Sequence, residues 1–223
     1  MLLQLLLLEM RSIFRTRRMR QLFIANASAL IFMLPMYFIH IDLKLQILLK
    51  IAVIAVIAIN FAFFTFSKDG CIYDGLRSRK ISSFIYVKAK YYYLSLLCAV
   101  GFLLLSVFEL FGASSFWSMN IILLLLSVGF LLPLALLAAS FDKERIDTSR
   151  STFFNYEGVA WGRQALVLIP FFLIFFKSEL AIKGRFILFI LGLVCIFCYK
   201  LILKLITKII ERRKYLILEG FRE

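Results

Sequence analysis

The stretch FSKDGCIYDGLRSRKISSFIYVKAKYYYL (residues 66–94) lies between two long apolar runs, about Ile47 to Phe66 and Tyr91 to Phe111. Runs of about 20 apolar residues are long enough to cross a bilayer as a helix. Hydrocarbon offers no hydrogen-bonding partner to backbone N–H and C=O groups, so a spanning chain must satisfy them within helices or closed barrels. A polar, cationic loop between two such runs therefore predicts an all-α integral membrane protein.

The composition of the whole chain supports this class. Of its 223 residues, 63% are hydrophobic and 18% are charged, and the mean hydropathy is +0.94. The net charge of +14 comes from Lys and Arg that lie beside apolar runs, where they can set topology and meet anionic lipid headgroups. Membrane lipids are therefore expected as partners, and nucleic acid is not. The CIFC motif (Cys195 to Cys198) lies inside an apolar run, which favours two packed thiols over a redox or metal site.

Six apolar runs predict six membrane spans. They cover about Leu22 to His40, Ile47 to Phe66, Tyr91 to Phe111, Phe116 to Phe141, Val159 to Phe176 and Phe186 to Ile206. The fifth run is short, but the charge distribution requires it to cross. With six spans, the N-terminal segment, residues 67–90, residues 142–163 and the C-terminal tail share one side and hold 22 of the 27 Lys and Arg residues. This bias predicts that both termini are cytoplasmic.

The first twenty residues, MLLQLLLLEMRSIFRTRRMR, predict an amphipathic helix that lies at the membrane interface before the first span. One stripe is apolar (Leu3, Leu6, Leu7, Met10, Ile13 and Phe14) and another is polar (Gln4, Arg11, Arg15 and Arg18). The expected cationic residues of this interfacial helix are Arg11, Arg15, Arg17 and Arg18. The alternative is that the segment is only an irregular start to the first span.

The loop from the opening predicts a short helix of its own. Asp69 and Gly70 can end the second span, and Asp69 to Leu76 can form a helix that closes near Gly75. Ser82 is a predicted N-cap for the helix that continues into the third span, and Tyr86, Tyr91, Tyr92 and Tyr93 are predicted to mark the entry into the membrane. The expected structure is a small cytoplasmic helix coupled to spans two and three.

Motifs for reaction chemistry are missing from the sequence. It contains no HExxH, GxSxG or phosphate-binding GxxxxGK[ST] motif, and its one histidine is His40. The chain is therefore predicted not to be an enzyme and to hold no cofactor or metal. Lys50 and Glu109 lie near the outer ends of spans two and three, where their side chains can extend to the interface, and a pairing between them stays open. The polar residues expected to form interhelical hydrogen bonds are Asn26, Ser28, Asn60 and Ser127.

Three strings carry a resemblance to a known superfamily: LLQLLLLEMRSIFR (residues 2–15), FSKDGCIYDGLRSRKISSFIYVKAKYY (66–92) and RIDTSRSTFFNYEG (145–158). Their layout resembles the ABC-2 type permeases of ATP-driven transporters, and within these a family of uncharacterised bacterial membrane proteins encoded beside ABC ATP-binding subunits. The resemblance implies a permease subunit in the bacterial cytoplasmic (inner) membrane, and it favours export over import. It also implies a partner dimer of ATPase subunits that bind ATP and Mg, and a second six-span half, identical or not.

The resemblance also implies roles for particular residues. The coupling helix that docks on the ATPase would run from Asp69 to Leu76, and the chain from Ser82 to Lys90 would lead into span three. The implied docking and coupling residues are Asp69, Ile72, Tyr73, Asp74, Gly75, Leu76, Arg77, Ser82, Tyr86 and Lys90. The implied residues of the second cytoplasmic loop are Arg145, Asp147, Phe153, Phe154, Asn155 and Tyr156. The sequence departs from its relatives at residues 67–69, where they often have a Trp-Glu pair.

Two other functions remain open at this stage. One is a membrane scaffold or immunity-type protein that binds a partner without transport. The other is an intramembrane enzyme that acts on lipid, which the missing acid, base and metal groups disfavour.

Overall fold

A computed structural model of the chain describes residues 1–36, 43–69, 75, 81–111, 117–142, 146, 182–213 and 215, and it has no strand among them. The helices are α1 (Leu2–Arg15), α2 (Arg17–Met36), α3 (Leu43–Phe63), α4 (Ser83–Phe111), α5 (Trp117–Leu126), α6 (Leu132–Ala139), α7 (Ile182–Phe197) and α8 (Tyr199–Arg212). A 3₁₀ turn covers Ser67–Asp69, and a π-helical segment, Ser127–Leu131, joins α5 to α6. The all-α prediction is confirmed for the described part of the chain.

Three helical segments in the described ranges are long and apolar enough to cross a membrane: Gln46–Phe63, Ser83–Glu109 and Met119–Ala139. A fourth is added if α7 and α8 count as one bent span. These segments correspond to predicted spans two, three and four. The predicted fifth span (159–176) lies outside the described residues, so the count of six stays a prediction.

Helix α3 lies at the centre of the bundle and packs against α2, α4, α5 and α6. Its small residues Ala55, Ala58 and Ala62 are fully buried, which lets neighbouring backbones approach closely. Gly101 of α4 uses this space, because a Cβ placed on it would lie 2.6 Å from the carbonyl oxygen of Val53. The close contact between α3 and α4 therefore requires that residue 101 is a glycine, which has no side chain.

The interfacial helix is shorter than predicted. It ends at Arg15 because Thr16 adopts an extended conformation, with φ −96° and ψ 131°. The Thr16 carbonyl then accepts a hydrogen bond from the Arg20 N–H at 3.1 Å, as an N-cap residue does at the start of a helix. Arg17 and Arg18 consequently belong to α2. Arg18 is buried, with its guanidinium 5.8 Å from the centre of the Phe64 ring, so its placement on a solvated interfacial face was wrong.

The segment predicted as the sixth span, 186–206, forms two helices and not one straight helix. Helix α7 ends at Phe197 and the chain bends by 61° into α8. The Cys198 carbonyl accepts hydrogen bonds from the N–H groups of Leu201 and Ile202, which starts a new helix. After the bend the pattern changes, because α8 buries Leu203, Ile206 and Ile210 and exposes Lys200, Lys204 and Lys208.

The π-helical segment lies where α5 meets α7. A Cβ on Gly129 would lie 2.5 Å from the carbonyl oxygen of Gly192, and a Cβ on Gly192 would lie 2.9 Å from the backbone of Leu125 and Leu126. The Tyr91 hydroxyl donates a hydrogen bond to the Val128 carbonyl in the same segment at 3.2 Å. Two glycines and one tyrosine therefore fix the wide turn against its neighbours.

Candidate functional site

Four charged side chains meet in the interior at one end of the bundle. They are Glu9 of α1, Lys68 and Asp69 of the 3₁₀ turn, and Lys90 of α4, and each is at most 8% exposed. We call this set the inner ion network. Two positive and two negative charges cancel, which is the arrangement that makes burial of ionised groups tolerable.

Lys90 is at the centre of the inner ion network. Its ammonium group donates to the Glu9 Oε1 and to the Asp69 Oδ2, and to the Thr65 carbonyl at 3.1 Å. A lysine ammonium has three N–H donors, so all three have a partner. The ammonium also lies 4.9 Å from the centre of the Tyr86 ring. Lys90 is therefore fixed by α1, by the segment after α3 and by its own helix.

Glu9 connects the two lysines. Its Oε2 accepts from Lys68 and its Oε1 from Lys90, and the Lys68 ammonium also donates to the Ser12 hydroxyl at 3.0 Å. Burial by itself would raise the pKa of Glu9, but the charges of Lys90 and Lys68 and their hydrogen bonds outweigh it and hold this pKa below its ordinary value. Glu9 is therefore ionised over the physiological pH range.

Asp69 fixes the start of the polar loop. Its Oδ2 accepts from Lys90 and from the Tyr86 hydroxyl, the latter at 2.7 Å. The carbonyl of Ser67, two residues before Asp69, accepts a hydrogen bond from the Ile146 N–H at 3.2 Å. The segment that ends α3 is thus tied both to α4 and to the residue Ile146 of the second predicted cytoplasmic loop.

The same end of the bundle includes the start and end of α8. The Tyr199 ring stacks on the Tyr91 ring with centroids 5.8 Å apart, and the Tyr199 and Tyr92 hydroxyls are 3.3 Å apart. The Arg213 guanidinium donates to the Ser140 carbonyl at 3.2 Å and lies 4.9 Å from the centre of the Phe141 ring. One end of the bundle therefore brings together parts of the N-terminal segment, of both predicted cytoplasmic loops and of the C-terminal region.

A second buried ion pair lies toward the other end of α4. The Lys50 ammonium is 2.7 Å from the Glu109 Oε1, with the two side chains 2% and 0% exposed, and the Asn120 amide donates to the Glu109 Oε2. The pairing that the sequence left open is therefore formed, between side chains that are buried. Lys90 and Glu109 are 19 residues apart on one helix, a rise of about 28 Å, which is close to the thickness of a bilayer's hydrocarbon core.

The structure brings together part of the predicted site. Ser82 acts as the predicted N-cap, because its hydroxyl accepts from the Ile85 N–H at 3.3 Å. Asp69, Tyr86 and Lys90 meet, but they are buried, so they position the loop and do not form an exposed docking surface. Gly75 is helical and exposed. The other predicted loop residues lie outside the described part of the chain: Ile72, Tyr73, Asp74, Leu76, Arg77, Arg145, Asp147, Phe153, Phe154, Asn155 and Tyr156.

Other side chains are placed differently from the prediction. Tyr86, Tyr91 and Tyr93, which were predicted to mark the entry into the membrane, have side chains buried in the bundle. Of the four polar residues expected to bond between helices, Asn60 donates to Asn26 at 2.6 Å. Ser28 and Ser127 instead donate to carbonyls of their own helices. Arg11 and Arg15 are exposed on α1, as predicted.

Sequence reasoning missed Glu9 and Lys68 as functional residues. A signal for Glu9 was present, since it is the first acidic residue of the chain and the next is Asp42. An acid within an otherwise apolar and basic interfacial helix requires a cationic partner. In the described residues, no group of three or more His, Cys, Asp or Glu side chains could hold a metal ion.

The fold and this site define an all-helical protein with several helices of membrane-spanning length and a buried ion network at one end. The chain belongs to DUF5687, a family of unknown function, whose model matches residues 2–223. No curated protein and no solved structure matches it.

Proposed function

We propose that the chain is the transmembrane permease subunit of an ATP-driven transporter of the ABC-2 type, working with separate ATPase subunits and a second six-span half. The observation that carries the proposal is the inner ion network. It fastens the residue that begins the proposed coupling helix, Asp69, to the third predicted span through Lys90 and Tyr86. A force applied to residues 70–76 would therefore reach α4 directly.

The network is suited to transmit such a displacement. Its charges are buried, so separating them costs far more than separating an exposed pair. A push on the proposed coupling helix would move α1, the 3₁₀ turn and the start of α4 together. Because Tyr91 follows Lys90 and reaches the π-helical segment, the same movement would extend to α5 and α7.

Gly75 provides a place to test the docking of an ATPase. It is helical and exposed, and a Cβ placed on it would meet nothing within 4 Å among the residues that the structure describes. A methyl group is therefore accommodated there, and the exposed position leaves room for a larger side chain. It would, however, obstruct a partner that docks closely on the coupling helix.

The experiment compares Gly75→Trp with Gly75→Ala in the full chain, co-expressed with its candidate ATPase and purified in mild detergent. We expect the wild type and Gly75→Ala to retain vanadate-sensitive ATPase activity in the complex, and Gly75→Trp to lose most of it while keeping the thermal stability of the subunit. Equal ATPase activity in all three complexes would contradict docking at this helix.

The mass of the complex tests the rest of the proposal. A transporter requires two six-span halves and two ATPase subunits. A scaffold or immunity-type protein would purify without a nucleotide-hydrolysing chain, and that result would overturn the proposed function.

Export as the direction of transport is part of the same proposal, and uptake of substrate into inverted vesicles on addition of ATP would test it.

A further inference from the structure

Helix α8 has three distinct faces. One is buried against α4 and α6 and contains Leu203, Ile206 and Ile210. The second carries Lys200, Lys204 and Lys208, which recur at every fourth residue and are all exposed. The third is apolar and also exposed, with Leu201 62% and Leu205 60% accessible. An exposed apolar face is unfavourable for a helix surrounded by water. An exposed row of lysines is unfavourable for a helix that crosses lipid.

The position of α8 agrees with the membrane surface. It starts at the 61° bend after α7, next to Tyr91 and Tyr92, and it ends beside Ser140 at the end of α6. This is the same end of the bundle as the inner ion network. A helix that bends away from the axis of a membrane span at the end of a bundle can lie in the plane of the membrane–water interface.

We propose that α8 is a membrane-surface helix that binds anionic phospholipid headgroups through Lys200, Lys204 and Lys208 while Leu201 and Leu205 enter the acyl region. Charge complementarity selects the lipid: three exposed ammonium groups on one face suit phosphate-bearing headgroups of net negative charge. The leucine face explains why the occupant is a lipid and not free phosphate. The inference goes beyond the proposed transport function and does not depend on it.

The first test measures lipid selectivity of the full chain in mixed micelles with equal amounts of phosphatidylglycerol and phosphatidylcholine. We expect phosphatidylglycerol to co-purify preferentially with the wild type, and the preference to fall by roughly tenfold or more in Lys200→Gln/Lys204→Gln/Lys208→Gln. The matched control Lys200→Arg/Lys204→Arg/Lys208→Arg keeps the charge and should keep the preference. Inorganic phosphate at the same concentration should not displace the lipid.

A second measurement remains decisive if the triple glutamine variant does not fold. Spin labels are placed singly at Lys204→Cys and Leu205→Cys in a background that lacks the four native cysteines, and the chain is reconstituted in phosphatidylglycerol vesicles. We expect the label at 204 to be accessible to a water-soluble nickel reagent and the label at 205 to molecular oxygen. An unchanged lipid preference in the folded glutamine variant, or the same lipid-buried signal at both positions, would overturn the proposal. Neither result would bear on ATPase docking at residues 70–76.

Discussion

Lys90 donates a hydrogen bond to Glu9 across 81 residues of sequence, in the interior of the bundle. This contact joins α1 to the start of α4, and Asp69 accepts a hydrogen bond from the same Lys90 ammonium. Breaking a buried ion pair by removing one partner leaves an uncompensated charge, which is more costly than the pair itself. The predictions below begin with this pair.

Glu9→Gln is expected to destabilise the protein by about 3–5 kcal/mol, because it removes the carboxylate that Lys68 and Lys90 share and leaves Lys90 with the carboxylate of Asp69 alone. Thermal unfolding of the purified chain in detergent measures the change. The control is Arg11→Gln, an exposed position on the same helix, which should stay within about 0.5 kcal/mol of the wild type. Equal unfolding temperatures for the two variants would show that Glu9 does not hold the network.

The contribution of Glu9 should depend on pH in a defined direction. Its pKa in the folded protein is lower than its ordinary value of 4.5, so its stabilisation is fully present above that value and is lost as the pH falls through the folded-state pKa. The difference in stability between the wild type and Glu9→Gln should therefore be constant near neutral pH and shrink in acid. A difference that grows as the pH falls below 4.5 would contradict this direction.

Lys50 and Glu109 should behave non-additively. Lys50→Met or Glu109→Leu alone leaves one buried charge and should cost about 3–5 kcal/mol, whereas the double variant leaves none and should cost much less. A double-mutant cycle measured by thermal unfolding gives the coupling energy. Additive effects of the two single variants would mean that the pair does not form.

Gly129→Ala should weaken the packing of α7 on the π-helical segment. The added methyl would lie 2.5 Å from the Gly192 carbonyl oxygen, which is backbone and cannot move alone. We expect a loss of about 1–3 kcal/mol, the usual cost of overpacking. Gly75→Ala is the matched control, because its methyl meets nothing within 4 Å. A Gly129→Ala chain that unfolds at the wild-type temperature would contradict the close approach.

The all-helical class could be predicted because long apolar runs require helices in lipid, and predicted spans two, three and four correspond to apolar helices of spanning length. Asn26 and Asn60 were expected to bond between helices, although not with each other in particular, and the N-cap at Ser82 was within reach of local rules. The inner ion network was not, since pairing Glu9 with Lys90 requires knowledge of how α1 packs on α4. The break at Cys198 was missed because the hydropathy summed over 186–206 hides the regular spacing of Lys200 and Lys204. Separate inspection of residues 199–212 would have detected this helical period.

The π-helical segment changes the rotational phase of the fourth predicted span. One extra residue in a turn rotates every later side chain by about 100° relative to an uninterrupted α-helix. The face that α6 presents to α3 is consequently set by Ser127–Leu131 as much as by its own sequence. A single deletion there, although it removes only one apolar residue among many, would turn one half of the span away from its neighbours.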